Sequence, residues 1–499
     1  MKNSRNFRQR SSPSRVPKRA ALALGLLAAL VVTAFFATPK TDRRTRTAVR
    51  HGRLPSAALW TSSQSTELKT ALARALRPGV ARVRRVSAVV LAQNGRVLYS
   101  QSAREALTPA SSLKVLIAIT ALQDLGPDYR LHTFFSAADL PDAAGRLAVP
   151  LWLIGTGDPS LRYNDLRGGV RVVYAGGVRS IPRVIVDAHA ISGPEINPLW
   201  NQSDANEDYQ VATSGMSLDE DTVEFHVEGT SPGKHARIYV EPPSDAVRWS
   251  GAVLTTKAGA RVDVEPVAPN SFAVSGLLGA GGKRTEYLPI HNVPRYAGAV
   301  AERMLKERGV VVGRASQVGI APAHLHVFWD HRSPTLRAMV KHMLVHSDNH
   351  FAEQLLRLVG RVTSGMADDR AGIAAERRLL GSARIPTDGL RLYDASGLAH
   401  ADRVSAWSLA LLLAYAQRAG DQLYPLLPRG GVDGTLRRYR FQAARARVRA
   451  KSGHLDDVDA LAGYIDTRRH GRLTFAFLVE GTRYVDDDVA AALDRLATL

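Results

Sequence analysis

The chain has 499 residues, 45% of them hydrophobic and 22% charged, with no cysteine and a formal net charge of +20. That length and balance provide for two or three domains with sizeable cores and exclude a disordered chain. Without thiols there can be no disulfide, cysteine nucleophile or thiolate metal site, although the redox compartment stays open.

The charge is unevenly placed. Lys2, Arg5, Arg8, Arg10, Arg15, Lys18 and Arg19 stand without an acid, and Ala20 to Ala37 then carries no charge. A basic end followed by an apolar run is an export signal. A cut after Ala37 would put Phe35 at −3, where a small residue belongs, so an uncleaved signal-anchor competes with a cleaved signal peptide. Lys40, Arg43, Arg44, Arg46, Arg50 and Arg53 then form a basic tether against a single acid, Asp42. Charge concentrated in a leader and tether suits membrane topology and an anionic envelope surface. A nucleic-acid reader would carry it on a folded face with aromatics interleaved, so no nucleic-acid partner is expected.

Beyond the tether, Glu67 to Arg77 reads as an amphipathic helix stopped by Pro78-Gly79. Val86 to Ala92 and Arg96 to Ser100 read as a hairpin about Asn94-Gly95. Next comes Ser111-Ser112-Leu113-Lys114. Thr108 suits an N-cap and Pro109 the first helical position, while Leu113, Leu116, Ile117, Ile119 and Leu122 supply an apolar face. Ser111 and Lys114, at i and i+3, then project from one face, where a lysine amine can take the serine proton. Ser231-Pro232-Gly233-Lys234 repeats the spacing, but its Pro-Gly makes a turn.

From His132 the texture changes to short β-like runs, Val149 to Ile154, Arg183 to Val186, Thr222 to Val227 and Ala236 to Val240. Helical pattern returns at Tyr296 to Arg308, Leu336 to Leu344, Phe351 to Val359 and Ser405 to Gln417. The chain closes with strands at Arg445 to Lys451, Ala460 to Asp466 and Leu473 to Val479, and a last helix.

Two further motifs fall on these elements. Ser347-Asp348-Asn349 lies between two helical segments, and Lys451-Ser452-Gly453 lies where an alternating strand reaches small residues. Alone, the first reads as an N-cap and the second as an edge strand ending in a turn. Together with Ser111 and Lys114 they match one chemistry. Lys114 must be neutral part of the time to accept a proton, and Lys451 as a nearby cation would lower its pKa. Ser347 relays a proton to a leaving amine, and Asn349 orients the lysine and the substrate backbone. The Lys451 strand pairs with an extended peptide whose terminal carboxylate meets the ammonium and the Ser452 hydroxyl. The amides of Ser111 and His454 make an oxyanion hole.

These motifs resemble those of the penicillin-recognising serine acyltransferases, and more narrowly the low-molecular-mass class C penicillin-binding proteins, the D-alanyl-D-alanine carboxypeptidase/endopeptidase family. The long interval from Ser111 to Ser347 carries the narrower resemblance, since a serine β-lactamase has a much shorter one. Gly155-Thr-Gly-Asp158-Pro159-Ser-Leu161, Asp394-Ala-Ser-Gly-Leu398 and Gly431-Val-Asp-Gly-Thr-Leu436 are similar as well. The resemblance implies an α+β (α/β sandwich) fold: a penicillin-binding transpeptidase-like domain, its antiparallel sheet flanked by helices, with a β-rich two-part insertion between the first and second motifs. The expected divisions are a basic n-region (1–19), a signal peptide or anchor (20–38), a tether (39–65), the first catalytic part (66–131), the insertion (132–325) and the second catalytic part (326–499).

By the same resemblance Ser111 is acylated, Lys114 is its base, and Ser347, Asn349 and Lys451 complete the catalytic set. Asp348, Ser452, Gly453 and His454 count as substrate-binding. The expected partners are peptidoglycan peptides and β-lactams, in the periplasm or cell envelope. Two positions depart from the family pattern: Ser452 replaces a usual threonine, and His454 a small hydroxyl residue. His454 either narrows the site or simply points to solvent. Two rival functions share the fold: a β-lactamase or esterase, and a non-catalytic peptidoglycan-binding protein.

No metal or cofactor is expected. His342, His346 and His350 recur every four residues, but the Ser-Asp-Asn turn breaks the helix between them. Asp456, Asp457 and Asp459 read as loop solvation, and Gly155-Thr-Gly157 lacks a phosphate-binding signature.

Overall fold

The computed structural model describes residues 84–204, 207–481 and 486–498, with scattered positions between 61 and 70. The export segment, the tether and most of the Glu67 to Arg77 helix lie outside them. The expected hairpin forms from β1 (Arg85–Leu91) and β2 (Val97–Gln101). Gly95 supplies the turn at φ +84°, and the Ala92 amide donates to the Arg96 carbonyl at 2.8 Å.

This hairpin supplies two strands of a five-stranded antiparallel sheet. After the His132–Ala137 strand (β3), Leu151–Gly155 (β4), Val184–Asp187 (β5), Gln317–Val318 (β6) and His326–Arg332 (β7), the chain returns with β8 (Val448–Leu455), β9 (Val458–Asp466) and β10 (Arg472–Glu480). The order is β8-β9-β10-β1-β2, leaving β8 on an edge. Both faces are covered: Val89 and Leu91 of β1 join one core while Val86, Ala88 and Val90 join the other. That period of two explains why these strands are apolar throughout instead of alternating with polar residues.

One face packs against a helical bundle. Its centre is α1 (Lys114–Asp124), in which Lys114 to Leu122 are all buried. Such a helix is apolar all round because neighbours surround it. The other helices are α2 (Tyr163–Ala175) and α3 (Val293–Glu307) in the middle of the chain, then α4 (Leu336–His346), α5 (Asn349–Ser364), α6 (Asp369–Ser382), α7 (Ala406–Arg418) and α8 (Asp486–Thr498). α1 packs on α4, α5, α6 and α7, and α8 covers the opposite face of the sheet through Val489, Leu493 and Leu496.

The entry to α1 differs from expectation. Thr108 does not cap it: its hydroxyl accepts from Arg403 at 2.8 Å and its amide donates to Glu480 at 2.9 Å. A 3₁₀ turn, Ala110–Leu113, precedes the α-helix instead, with Pro109 at its N-cap. In a 3₁₀ turn residues i and i+3 eclipse, which draws Ser111 and Lys114 together more closely than an α-helical turn would.

The middle of the chain builds a mixed sheet in the order β6-β5-β4-β3-β7, with α2 and α3 against it, a two-stranded pairing of Ser180–Ile181 with Val311–Val312, and two smaller sheets of four and three strands. One smaller sheet joins Arg248–Gly251, Leu254–Thr256, Ala260–Ala268 and Ser271–Gly279, and the other Thr222–Glu228, Arg237–Glu241 and Lys283–Pro289. All of these share one hydrophobic core. The expected boundary at 325/326 is corrected here. β7 pairs antiparallel with β3 from His326 to Arg332, so those residues belong with the inserted sheet. Helix α2 was missed because its buried residues are only Leu166, Gly169, Val170 and Val173 in an otherwise polar, glycine-containing stretch. As expected, Ser231 to Lys234 is a turn, with the Lys234 amide on the Ser231 carbonyl at 3.0 Å.

Candidate active site

The 3₁₀ turn leaves Ser111 partly exposed and places Lys114 fully inside. The Lys114 ammonium has three acceptors: Ser111 Oγ at 3.0 Å, Asn349 Oδ1 at 2.6 Å and the Ser396 carbonyl at 2.8 Å. Burial lowers its pKa to about 8, against the pull of Asp394, Glu353 and Asp348. An amine in that range is a usable base near neutral pH. The sequence reading assigned this depression to Lys451, but burial is its leading cause, and the repulsion between the two lysines disfavours both being charged at once. Lys451 lies well below its usual range, through burial first and then Lys114 and Arg438.

The second motif is a helix break. Ser347 ends α4 in the left-handed region at φ 60°, with its amide on the Met343 carbonyl, and Asp348 caps α5 by accepting from Phe351 at 3.0 Å. This sharp reversal sets Ser347 and Asn349 side by side at the head of α5. Ser347 Oγ receives Lys451 Nζ at 2.9 Å, so the second and third motifs meet as the first and second do. Asp348 does not fit its expected substrate-binding place. It is partly buried, accepts from Phe351, and meets His342 Nε2 at 3.2 Å. His342 and the capping bond hold its pKa at about 2 despite burial.

The third motif lies on edge strand β8. Lys451 also donates to the Ser452 carbonyl at 2.6 Å, and Ser452 Oγ is 2.6 Å from Thr435 Oγ1. Gly453 is where the strand touches the Ser111 turn. A Cβ there would stand 2.7 Å from the Pro109 carbonyl oxygen and 2.9 Å from the amide nitrogens of Ser111 and Ser112. Gly453→Ala therefore forces the strand away from the turn, and acylation should fall on the order of a hundredfold as the oxyanion donors separate. Stopped-flow acylation beside a thermal melt checks this, with a far smaller effect on melting than on rate. His454 does not point freely into solvent: its Nδ1 is 2.6 Å from Asp459 Oδ1, across the β8–β9 hairpin.

The insertion reaches into this site. Asn349 Nδ2 donates to the Tyr209 carbonyl at 2.9 Å, which turns its Oδ1 toward Lys114. Trp200 Nε1 donates to Asp394 at 2.9 Å, and Gln354 Nε2 to the Ser214 carbonyl at 2.8 Å. Sequence reasoning missed these contacts, along with Ser396, Thr435 and Glu353. The stretches around Asp394 and Gly431 were noticed only as resemblances, and a carbonyl acceptor such as that of Ser396 or Tyr209 leaves no mark in a sequence. The histidine series also separates: His350 packs on the insertion, Nδ1 on the Ala212 carbonyl at 3.1 Å. Glu220, His342 and Asp348 bring ligand atoms within 4.8 Å of one another. Glu220 is ion-paired with Arg162, so a guanidinium already supplies positive charge there.

Comparison with known proteins bears on this geometry. The model of the D-Ala-D-Ala carboxypeptidase 3 (S13) family matches residues 69–498. The chain belongs to that family. It is 30% identical over 420 residues to the D-alanyl-D-alanine carboxypeptidase of Actinomadura sp. (strain R39), covering 79% of this chain and 78% of the relative. It is 28% identical over 434 residues to carboxypeptidase DacB of Mycolicibacterium smegmatis, covering 82% and 79%. The crystal structure of penicillin binding protein 4 (dacB) from Haemophilus influenzae superposes with a TM-score of 0.73 at 22% identity, over 87% of this chain and 98% of that one. That likeness establishes the expected fold, a transpeptidase-like domain with a β-rich insertion. As an S13 family member, a low-molecular-mass class C penicillin-binding protein, the chain is a serine D-Ala-D-Ala carboxypeptidase.

Proposed function

We propose that this S13 enzyme removes the terminal D-Ala from peptidoglycan stem peptides, and opens D-Ala cross-bridges, through an acyl-enzyme on Ser111. The observation that carries the assignment is the buried Lys114 amine held between Ser111 Oγ and Asn349 Oδ1. Neutral Lys114 takes the Ser111 proton as Oγ attacks the penultimate D-Ala carbonyl. The developing oxyanion is held by the amides of Ser111 and His454. The proton that Lys114 took from Ser111 is returned to the departing amine through the Ser347 hydroxyl, which Lys451 Nζ holds in place at 2.9 Å. The substrate chain lies along the edge of β8 beyond Ala450, where the pairing with Pro428 and Gly430 ends, its terminal carboxylate toward Lys451 and Ser452. Water then attacks the acyl-enzyme, with Lys114 again the base. A β-lactam enters the same path, but its opened ring stays attached and blocks that water.

The catalytic unit comprises residues 66–131 and the part of the chain after Arg332, with the insertion between them. The basic leader exports the protein, with residues 20–38 as membrane anchor or cleaved signal. Among the described residues no helix is long and apolar enough to cross a membrane, and this segment lies outside them.

The test is a purified soluble form given an N-acylated peptide ending in D-Ala-D-Ala. Release of one D-Ala, and a stable penicillin adduct seen by intact mass, are expected. Rapid penicillin turnover without D-Ala release would instead make the enzyme a β-lactamase and sink the proposal.

A further inference from the structure

Helix α5 reaches Lys114 twice. Asn349, its first residue, does so directly. Glu353 follows one turn later on the same face, and is 2% exposed among Phe351, Ala352, Leu355 and Leu356, all buried. A carboxylate among such residues is costly unless it is hydrogen-bonded. Its Oε1 accepts the amides of Ser396 at 2.8 Å and Ala395 at 3.2 Å. The carbonyl of that same Ser396 is the third acceptor of the Lys114 ammonium, at 2.8 Å.

The loop carrying Ser396 has little freedom. Asp394 accepts the amides of Gly397 at 2.7 Å and Ala399 at 2.8 Å. Gly397, at φ +75°, lies so close under the nucleophile turn that a Cβ would be 1.9 Å from the Ala110 carbonyl oxygen. The loop is thus clamped between α5 and the Ser111 turn, and a change in its grip on Glu353 moves the carbonyl that Lys114 binds.

We propose that Glu353 is a positioning residue for the general base: it holds the Ser396 carbonyl against Lys114 through the Ser396 and Ala395 amides. This rests on the assignment of Ser111 and Lys114. The groups facing Glu353 come from every neighbouring element: Lys114 from α1, Asp394 and Asp402 from the loops before α7, and Asp369 and Glu376 from α6. Arg357, one turn further along α5, is engaged by Asp369 at 2.5 Å and leaves Glu353 unneutralised from that side. Burial and then Asp394 push Glu353 up to about 8, so near neutral pH it grips the loop as a hydrogen-bond acceptor more than as a charge. Glu376 is a natural comparison. It is just as buried, bonds to nothing among the described residues, and does not bear on Lys114.

The test is the pH dependence of acylation by a chromogenic β-lactam for wild type, Glu353→Gln, Glu353→Ala and Glu376→Gln, each checked by thermal melt. Glu353→Gln keeps an acceptor oxygen but no charge. With that acceptor kept, its acid limb and acylation rate constant are expected to stay within about twofold of wild type, the conservative side chain rescuing the loop contact. Glu353→Ala loses the loop contact, and its acylation rate constant should fall by at least about tenfold while non-covalent affinity holds. Glu376→Gln should keep the wild-type limb. A Glu353→Ala protein that acylates at the wild-type rate overturns the proposal. So does a Glu353→Gln variant as slow as Glu353→Ala, an equal loss of rate in Glu376→Gln, or a Glu353→Gln protein that does not fold, since Glu353 would then serve only core stability. Failure of the nucleophile assignment is a separate result: penicillin labelling that survives Ser111→Ala.

Discussion

Ser111→Ala should remove the penicillin adduct entirely and lower D-Ala release by about four to six orders of magnitude, the range seen when a serine nucleophile is deleted. The loss is chemical, because the rest of the site stays assembled. Lys114 keeps Asn349 and the Ser396 carbonyl as partners, and Gly453 still rests on the turn. Ser111 is small and partly exposed, so its hydroxyl contributes little to folding, and stability should change by less than about 1 kcal/mol. Intact-mass measurement after penicillin, a D-Ala release assay and a thermal melt together read this out. An adduct on the variant would place the nucleophile elsewhere.

Lys114→Ala attacks the same step from the other side. Loss of a general base costs about 10²- to 10⁴-fold in rate. Here the substitution also leaves Asn349 Oδ1 and the Ser396 carbonyl without their ammonium, at about 1–3 kcal/mol for each buried group left unpaired. A melting temperature well below wild type is therefore expected together with the kinetic loss, in contrast to Ser111→Ala. The pH dependence separates base from scaffold. The wild-type amine has a pKa of about 8, and only its neutral form accepts the serine proton. Acylation should therefore rise with pH and level off above about 8, with about a tenth of the amine neutral one unit below. In Lys114→Ala the residual rate should lose that limb. A limb that persists unchanged would assign the titration to another group.

Much of this site was visible in the amino-acid order because the chemistry needs particular side chains on particular elements. Ser111 and Lys114 share a face whether the turn is α or 3₁₀, so the pair was legible although Thr108 was misread as its cap. Ser347 and Asn349 required a helix break, and the polar triplet between two apolar runs marked one. Asp348 shows where such reading fails. It belongs to the motif, yet a carboxylate beside a helix start is drawn to the free amides there, and capping claims it. His454 was ambiguous for a similar reason, since its partner Asp459 comes into register only when β8 and β9 fold back on each other.

The order and spacing of three motifs on strand- and helix-forming runs were therefore enough to determine the reaction class and the outline of a catalytic domain split by a long insertion. Local propensity and side-chain chemistry act over a few residues, and those signals are written in the chain. The tertiary structure alone decided which groups tune the site. Burial, not a second cation, leads the lowering of the Lys114 pKa. The insertion orients Asn349 through a backbone carbonyl, and Glu353 reaches the base through the Ser396 loop. Each depends on dehydration and on contacts between segments far apart in the chain, and these arise only when the core closes around them.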